Sequence, residues 1–251
     1  MNHSIKLSII TPSFNSASTI RDTLLSISYQ DYPNIEHIII DGHSTDDTLK
    51  IISEFPHVSR MISGRDEGIY HAMNKGLGLA SGDVIGILNS DDLYTSKSVI
   101  SEVVKVFEDD SIDGCYADLQ YVSPSLNKVN RTWKSGSFSP RSFYWGWMPP
   151  HPTVFLRKRV YDRVGNFNLA LKSAADYEFL LRVFVKNNFK FQYIPKTLVK
   201  MRTGGISNAS LKNRFRANRE DRLAWELNGL KPYFFTLYLK PFRKIFQFLI
   251  K

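Results

Sequence analysis

The sequence predicts an α/β fold in which a mostly parallel sheet is flanked by helices. Two observations predict it. Apolar segments of strand length alternate with amphipathic segments of helix length over the first 110 residues, and the run at residues 84–88 is apolar except for one glycine. A strand that is apolar on both faces is typical of a parallel sheet covered by helices on both sides. A chain of 251 residues is long enough to bury one large core.

The first part of the chain supports this class segment by segment. Strands are predicted at residues 5–11, 35–40, 58–62 and 84–88, and helices at 17–29, 47–55, 69–80 and 96–107. Such an order implies right-handed crossovers between parallel strands. Pro12 is expected to end the first strand. Neither the Gly-rich dinucleotide fingerprint nor the phosphate-loop lysine motif is present, which disfavours ordinary dehydrogenases and NTPases.

After residue 114 the pattern changes to shorter elements. Strands are predicted at residues 115–122, 128–134, 151–156, 190–194 and 198–201, and a helix at 174–186. Residues 135–152 are rich in Gly, Pro and aromatic side chains, as in loops that shape a pocket or lid. Trp145 and Trp147 could stack on a sugar or pack in the core. The last fifty residues are predicted to be helical.

Composition limits the class of protein. The single cysteine, Cys115, excludes an internal disulfide and a cysteine-built zinc site. The first residues do not read as a signal peptide, and no run approaches the roughly 18 apolar residues needed to span a bilayer. We therefore expect a cytoplasmic protein.

Positive charge is concentrated in the last third of the chain. Residues 182–251 contain 16 Lys and Arg against three acidic residues, a net charge of +13, whereas the rest carries −4. This asymmetry predicts an anionic partner: a membrane, a nucleic acid or a phosphate-bearing substrate. Within residues 242–249, apolar side chains recur at helical spacing opposite Arg243 and Lys244. The pattern fits an amphipathic helix at a membrane surface or one docked on the protein's own core.

Two adjacent carboxylates, Asp91 and Asp92, follow the strand predicted at residues 84–88. Ligands bind at the carboxyl ends of strands in open α/β sheets. Two unpaired carboxylates repel each other, and a hard cation with oxygen ligands would relieve the repulsion. The alternative is that Asp92 caps the helix predicted from residue 96.

Five motifs occur in order along the chain: T-P-S-F-N at 11–15, D-G-H-S-T-D-D-T at 41–48, D-E-G-I-Y-H-A-M-N-K-G at 66–76, G-D-V-I-G-I-L-N-S-D-D at 82–92 and A-D-Y-E-F-L-L-R at 175–182. Together they resemble the inverting glycosyltransferases of family 2, which have the Rossmann-like GT-A fold. Bacterial enzymes that build colanic acid, O-antigen and other exopolysaccharides are the most similar members.

The resemblance spans about residues 6–207 and implies a domain organisation. Residues 1–207 would form the GT-A domain, with a nucleotide-sugar half at about 1–113 and an acceptor half at about 114–207. Residues 208–251 would form a basic helical C-terminal extension.

The resemblance also implies a reaction. A sugar would move from a nucleotide donor, UDP-sugar in the first instance, to a polyprenyl-phosphate-linked saccharide acceptor. The enzyme would contribute to lipopolysaccharide or another cell-surface polysaccharide, peripherally associated with the inner face of the bacterial membrane through its C-terminal helix. A divalent metal, Mn²⁺ or Mg²⁺, would neutralise the donor diphosphate as a Lewis acid.

For the metal, the resemblance implies Asp92 as the direct ligand, Asp91 as a contact to metal or ribose, and His151 as a third ligand. Asn89 stands where many relatives carry an additional aspartate, which lowers the local charge.

For catalysis, the resemblance implies Asp176 as the base that deprotonates the acceptor hydroxyl. Glu178 lies two positions later, and residues i and i+2 do not share a helix face, so only one of the two should reach the substrate. The alternative is that Asp176 merely interacts favourably with the helix dipole.

Nucleotide-sugar binding is assigned by the resemblance to residues spread over both halves. Asp41 would recognise uracil or ribose, unless it is a turn carboxylate satisfied by backbone N–H groups. Arg65 suits phosphate because of its forked geometry, and Arg202 belongs to a loop, with Gly204, Gly205 and Ser207, that would close over the diphosphate. The full set is Thr11, Pro12, Asn15, Asp41, Arg65, Asp66, Asn74, Lys75, Asp91 and Arg202.

Other classes fit less well. The basic C-terminal region prompts a nucleic-acid-binding protein, but no nucleic-acid motif is present and none is expected as a partner. A sugar nucleotidyltransferase would carry a Gly-rich, Lys-bearing loop after the first strand, where this chain has T-P-S-F-N. A degenerate transferase fold that only binds an anionic membrane is a further alternative.

Overall fold

The computed structural model describes residues 4–204 and 211–240, and of residues 211–218 it describes the backbone alone. In this part of the chain nine strands form one sheet, in the order β3-β2-β1-β4-β8-β6-β9-β5 with β7 beside β6. The strands are β1 Leu7–Ser13, β2 Ile35–Asp41, β3 Val58–Ser63, β4 Val84–Ile87, β5 Asp92–Tyr94, β6 Gly114–Val122, β7 Val129–Trp133, β8 Phe155–Arg157 and β9 Phe191–Arg202.

Helices cover the sheet on both faces. They are α1 Ile20–Ser28, α2 Thr48–Ser53, α3 Ile69–Leu79, α4 Val99–Val106, α5 Lys158–Val164, α6 Ala175–Phe184 and α7 Leu211–Leu227, with short 3₁₀ segments at Pro140–Trp145 and His151–Thr153. The predicted α/β class is confirmed. The helix α5 and the two 3₁₀ segments were not predicted from the sequence.

The first half of the sheet is parallel, as predicted. β3, β2, β1 and β4 pair in parallel, and β1 is buried along its whole length. The glycine inside the β4 run, Gly86, faces the ring of Phe155, where a Cβ atom would lie 2.5 Å from a ring carbon. This close approach explains why the apolar run contains one glycine.

The second half of the sheet is mixed. β8 is antiparallel to both of its neighbours, β4 and β6, whereas β6 and β9 are parallel and β5 and β7 are antiparallel additions. The expectation of a mostly parallel sheet therefore holds for the first half alone. β8 and β5 are three residues long, too short for their direction to be read from an apolar pattern.

The prediction that Pro12 ends the first strand is wrong, because β1 continues to Ser13. β1 pairs with β4 only from Leu7 to Ile10, whereas its pairing with β2 continues to Ser13. At Pro12 the strand therefore has a neighbour on one side, and a missing N–H is tolerated where no partner strand requires it.

Two further strand predictions are wrong in detail, and both involve proline. The predicted strand at 151–156 begins as a 3₁₀ turn, because Pro152 fixes φ and offers no N–H to a ladder. The two strands predicted at 190–194 and 198–201 are one strand, β9. Its pairing with β6 passes from Ile194 to Thr197 across a bulge that contains Pro195.

As far as residue 240, the C-terminal segment packs on α6 and on the 3₁₀ segment Pro140–Trp145. Trp225 on α7 is fully buried, and its Nε1 donates to the Tyr177 hydroxyl of α6 at 3.0 Å. Thr236 donates to the Tyr144 carbonyl at 2.6 Å. The basic amphipathic segment at 242–249 and the loop residues Gly205 and Ser207 lie outside the described residues. Within the described ranges, no helix combines the length and apolarity that crossing a membrane requires.

Candidate active site

The loop from Asn89 to Asp92 follows the carboxyl end of β4, and hydrogen bonds from α1 and from the residue before it hold the backbone of this loop. Thr23 of α1 donates its hydroxyl to the Asp92 carbonyl at 2.7 Å, and Thr19 donates to the Ser90 carbonyl at 2.9 Å. Asp92 itself begins β5, and α4 starts at Val99 with Ser98 before it. The alternative that Asp92 caps this helix is therefore wrong.

The Asp92 carboxylate is fully buried and incompletely satisfied. Its Oδ2 accepts a hydrogen bond from Asn89 Nδ2 at 3.0 Å, but its Oδ1 and the Asn89 Oδ1 have no hydrogen-bond donor among the described residues. Burial, together with the neighbouring charge of Asp91, raises the pKa of Asp92, and burial also raises the pKa of Asp91. Two buried, unpaired oxygens beside two carboxylates are a donor set that suits a hard cation.

The three metal ligands that the resemblance implied are not assembled as a group. Across residues 4–204 and 219–240, no three His, Cys, Asp or Glu side chains converge to hold a metal. The His151 ring instead packs edge-on against Phe167. A cation that keeps water and substrate phosphates as ligands needs one or two protein carboxylates, so Asp91 and Asp92 fit it without His151.

Asp176 lies in the first turn of α6, where Tyr70 of α3 donates its hydroxyl to Oδ1 at 3.1 Å. Burial and the Asp176 charge raise the pKa of Tyr70, so its phenol stays protonated and keeps donating. Burial lowers the pKa of the nearby His151 against the influence of Asp176, so its imidazole is neutral at pH 7. Asp176 is therefore held beside a permanent donor and an uncharged ring.

Glu178 has a structural environment instead. It is buried and receives two hydrogen bonds from Arg182, at 3.0 and 2.8 Å, and one from Asn228 at 3.0 Å. The two acidic residues of α6 thus point to different surroundings, as their spacing predicted.

The pKa of Tyr121, a β6 residue outside the five motifs, is influenced by the charges of both carboxylate sites. Burial raises the pKa of Tyr121, the Arg131 guanidinium stacked 3.8 Å from its ring centre opposes this, and the charges of Asp92 and Asp176 add to it. The Tyr121 side chain therefore lies within electrostatic range of both carboxylates. No local sequence signal marks it, because Tyr121 comes near Asp92 only through β9, whose Met201 pairs with Tyr121 of β6 and with Asp92 of β5.

Asp41 is enclosed at the end of β2. Its Oδ1 accepts from the hydroxyls of Ser13 and Ser44, and its Oδ2 accepts from the Ser44 N–H at 2.9 Å and the Ser63 hydroxyl at 2.7 Å. This arrangement is close to the satisfied turn carboxylate of the alternative interpretation, with hydroxyls supplying most of the donors. Contact with a base or ribose would require one of these partners to move.

The other residues of the first nucleotide motif shape the turn after β1. Thr11 and Pro12 are buried, and the Thr11 hydroxyl lies 3.0 Å from Nε2 of the buried His37. Asn15 is exposed, has a φ of 47° and accepts a hydrogen bond from the Thr45 N–H at 2.9 Å. Of the three residues predicted here, Asn15 is the one that remains accessible to a ligand.

Two kinds of contact occupy the predicted nucleotide-binding residues around α3: an ion pair, and hydrogen bonds from one side chain to the backbone of a loop. Asp66 is paired with Lys75 at 2.6 Å, and Lys75 also lies 3.4 Å from the carbonyl of the exposed Arg65. Asn74 uses both ends of its amide on the backbone of Phe167, each at 2.9 Å. Asn74 therefore anchors a loop, and the structure does not bring it to an open ligand site.

Arg202, at the end of β9, is not free to close over a diphosphate. It is buried, its Nη1 donates to the Asp91 carbonyl at 2.8 Å, its Nε donates to the Pro124 carbonyl at 3.1 Å, and its Nη2 is paired with Asp22. The guanidinium instead fixes the backbone of Asp91.

Comparison with known proteins decides the family. The sequence model of Glycosyl transferase family 2 matches residues 8–177, more than half of the chain. The chain belongs to this family. It is thus a glycosyltransferase, and the family resemblance drawn from the five motifs is confirmed.

Curated relatives of this glycosyltransferase are bacterial. It is 30% identical over 214 residues to a PGL/p-HBAD biosynthesis glycosyltransferase of Mycobacterium bovis, covering 83% of this chain and 81% of the relative. It is 29% identical over 194 residues to the chondroitin synthase of Pasteurella multocida, covering 75% of this chain and 20% of that protein.

Solved structures support the GT-A fold of this glycosyltransferase. TarS 1–349 of S. aureus, in complex with UDP-GlcNAc, has a TM-score of 0.71 at 20% identity over 89% of this chain and 65% of its own. The mannosyltransferase PcManGT of Pyrobaculum calidifontis, with GDP-Man and Mn²⁺, has a TM-score of 0.67 at 18% identity over 96% and 70%. The chain thus spans about two thirds of these two structures.

Proposed function

We propose that this glycosyltransferase transfers a sugar, with inversion, from a nucleoside diphosphate donor to an acceptor hydroxyl, using Asp176 as the base. The observation that carries the proposal is the contrast between two carboxylate sites in their hydrogen bonding. One site, Asp91 and Asp92, is poor in hydrogen-bond donors and suits a cation; the other, Asp176, is oriented by a neutral donor.

The donor half of the reaction needs charge neutralisation. Asp91 and Asp92 would hold a divalent cation, Mn²⁺ or Mg²⁺, which supplies Lewis-acid stabilisation to the departing diphosphate when bound. Arg202 contributes by fixing the Asp91 backbone rather than by touching phosphate. The solved neighbours named with UDP-GlcNAc, and with GDP-Man and Mn²⁺, support a nucleotide-sugar donor, with UDP-sugar as the first candidate.

The acceptor half needs a base. The acceptor oxygen attacks the anomeric carbon while the bond from that carbon to the diphosphate oxygen breaks, and the acceptor proton passes to Asp176. Tyr70 holds one carboxylate oxygen, so the second oxygen is available to the incoming hydroxyl. A single displacement of this kind inverts the configuration at the anomeric carbon.

For the acceptor, we propose a lipid-linked saccharide of a cell-surface polysaccharide, with a polyprenyl phosphate as carrier, met at the inner face of the membrane. The names of the mycobacterial and Pasteurella relatives support a cell-surface glycan or glycolipid. The C-terminal segment supports a membrane surface, because it exposes aromatic side chains, the type that favours bilayer interfaces. These are Tyr233, Phe234 and Tyr238, and the exposed Trp145 of the 3₁₀ segment Pro140–Trp145 packs beside them on Phe235.

Titration calorimetry with UDP tests the donor site. We expect binding that depends on Mn²⁺ in the wild type and is lost in Asp92→Ala. Asp176→Asn should bind UDP normally and lose transfer, since the base touches the acceptor and not the nucleotide. If UDP fails to bind with or without Mn²⁺, and GDP also fails, the donor-site assignment is wrong.

A further inference from the structure

A groove lies between the loop that precedes α6 and the exposed side of α7. It has a volume of about 410 Å³ and is lined by Ala170, Lys172, Arg219, Glu220 and Leu223. That volume lies within the roughly 300–1,000 Å³ of sites for small ligands. None of the mechanism above uses this groove.

The groove carries two uncompensated cations. Lys172 and Arg219 are exposed and form no ion pair with any residue in the described ranges. The one acidic side chain in the lining, Glu220, is already engaged, since its Oε2 accepts from the Ser173 and Ala174 N–H groups at 2.7 and 3.1 Å. The positive charge of the groove is therefore available to an anion, and Arg219 presents a fork that suits phosphate.

An apolar stripe continues from the cations. Arg219, Leu223 and Leu227 are spaced at i, i+4 and i+8, so they share one face of α7. Leu223, which lines the groove, is 39% exposed, Leu227 is 47% exposed, and Leu169, which precedes the lining residue Ala170, is 44% exposed. A cationic end that leads into exposed leucines fits a ligand with a phosphate at one end and a hydrocarbon chain at the other.

The groove adjoins the proposed base. Glu220 bonds to the backbone two and three residues before Asp176, and Tyr70, which donates to Asp176, also lies within electrostatic range of Glu220. A ligand seated on Lys172 and Arg219 would therefore lie beside the first turn of α6, on the acceptor side.

We infer that this groove binds the phosphate and the adjoining hydrocarbon of an amphiphilic acceptor and so presents its sugar hydroxyl to Asp176. The inference rests on the proposed function for the role of Asp176, but the binding itself can be measured without any transfer.

Calorimetry with three probes separates the contributions: octyl phosphate, inorganic phosphate and 1-octanol. We expect octyl phosphate to bind the wild type at least tenfold more tightly than either of the others. The double variant Lys172→Gln/Arg219→Gln should lose at least tenfold of that affinity. Leu223→Ser should reduce the affinity for octyl phosphate toward that for inorganic phosphate.

The matched control is Arg222→Gln, which removes an exposed cation of α7 outside the groove lining and should leave octyl phosphate binding unchanged. Circular dichroism confirms that each variant is folded. An equal loss of octyl phosphate affinity in Arg222→Gln would mean unspecific charge attraction. A loss in Phe234→Ser, with the double variant unchanged, would assign the hydrocarbon to the exposed aromatic side chains of the C-terminal segment. Either result, or an unchanged affinity of the double variant by itself, contradicts binding in the groove. UDP titration of the wild type in the same series shows separately whether the donor site has failed.

Discussion

Two buried carboxylates at opposite ends of the sheet have opposite environments. Glu36, near the amino end of β2, accepts from the Ser8 hydroxyl, the Ser81 hydroxyl and N–H, and the Lys6 ammonium. Asp92, at the carboxyl end of β4, accepts from Asn89 alone among the described residues and faces the charge of Asp91. The first carboxylate is satisfied by hydrogen bonds, and the second is the one at which we propose a cation.

The pKa values of the two groups diverge accordingly. Burial by itself would raise the pKa of Glu36, but the hydrogen bonds from Ser8, Ser81 and Lys6 outweigh it and lower the value from 4.5 to about 2. For Asp92, burial and Asp91 both raise the pKa, and one hydrogen bond from Asn89 does not offset them. The comparison teaches that the supply of hydrogen-bond donors, and not burial alone, decides the direction in which the pKa of a buried carboxyl group shifts.

The largest expected effect comes from Asp92→Asn. Transfer should fall by about 10²–10³, because the carboxylate that would hold the cation is lost, and with it the stabilisation that the cation would give the departing diphosphate. The metal-free variant should nevertheless be more stable than the wild type, by on the order of 1–3 kcal/mol, since an unsatisfied buried charge is removed. Urea unfolding in EDTA, beside a transfer assay with Mn²⁺, measures both. A variant that is inactive and also less stable than the wild type would contradict the claim that the unsatisfied Asp92 carboxylate destabilises the metal-free protein.

Glu36→Gln should have the reverse effect. We expect a loss of about 2–3 kcal/mol in the free energy of unfolding, because a neutral amide replaces a charged acceptor and turns an N–H₂ group toward other donors. Transfer per folded molecule should stay at the wild-type level. Urea unfolding gives the first quantity and activity normalised to folded protein the second; a variant with unaltered stability would show that the Glu36 network is dispensable.

Arg202→Met tests the support of the functional end. The Asp91 carbonyl would lose its Nη1 donor and Asp22 its partner, so transfer should fall about 10-fold or more, as for residues that orient metal ligands. The matched control is Arg21→Met, which removes an exposed ion pair with Glu54 and should leave transfer unchanged. If Mn²⁺-dependent UDP binding is normal in Arg202→Met, Arg202 does not position Asp91.

The smallest effect is a pair of opposite pH trends in stability. Glu36 has a lowered folded pKa, so its contribution is complete above pH 4.5 and is lost as the pH falls toward 2. The difference in unfolding free energy between the wild type and Glu36→Gln should therefore become smaller in acid.

Asp92 has a raised pKa in the folded state, so its charge destabilises the fold at higher pH. The advantage of Asp92→Asn should then disappear as the pH falls to the ordinary range of a carboxyl group, about 4. Urea unfolding between pH 3 and 8 in EDTA measures both gaps; trends of the same sign would contradict the assignment.

Local patterns in the sequence predicted most of the first half of the fold. The run at 84–88 became β4, and the segments around it became β1, β2, β3, α1 and α3 with boundaries shifted by a few residues. These elements have apolar periods that are set by their own residues. β5 was not predicted, and β8 was predicted with a start four residues too early, because three-residue strands exist only where a neighbouring strand accepts them.

The candidate site was predictable to the extent that its residues lie in motifs. Asp91, Asp92 and Asp176 follow from the family motifs, and Tyr70 stands inside one of them. Other features depend on which strands pair at long range. They are the position of Tyr121, the bonding of Arg202 to Pro124, Asp91 and Asp22, and the separation of His151 from the two aspartates. The second half of the sheet decides those pairings, and no local pattern encodes them.

The sequence by itself determined the family, the order of strands and helices in the first half, and the identity of the carboxylates at the strand ends, because each depends on residues close together in the chain. Tertiary structure alone decided which carboxylates are satisfied. Glu36 meets Ser8 and Ser81 across 28 and 45 residues, whereas Asp92 is buried among described neighbours of which only Asn89 donates to its carboxylate. Hydrogen bonding of a buried group is set by the neighbours that the fold supplies, and these neighbours satisfy Glu36 but leave Asp92 with the unpaired oxygen on which the proposed cation site rests.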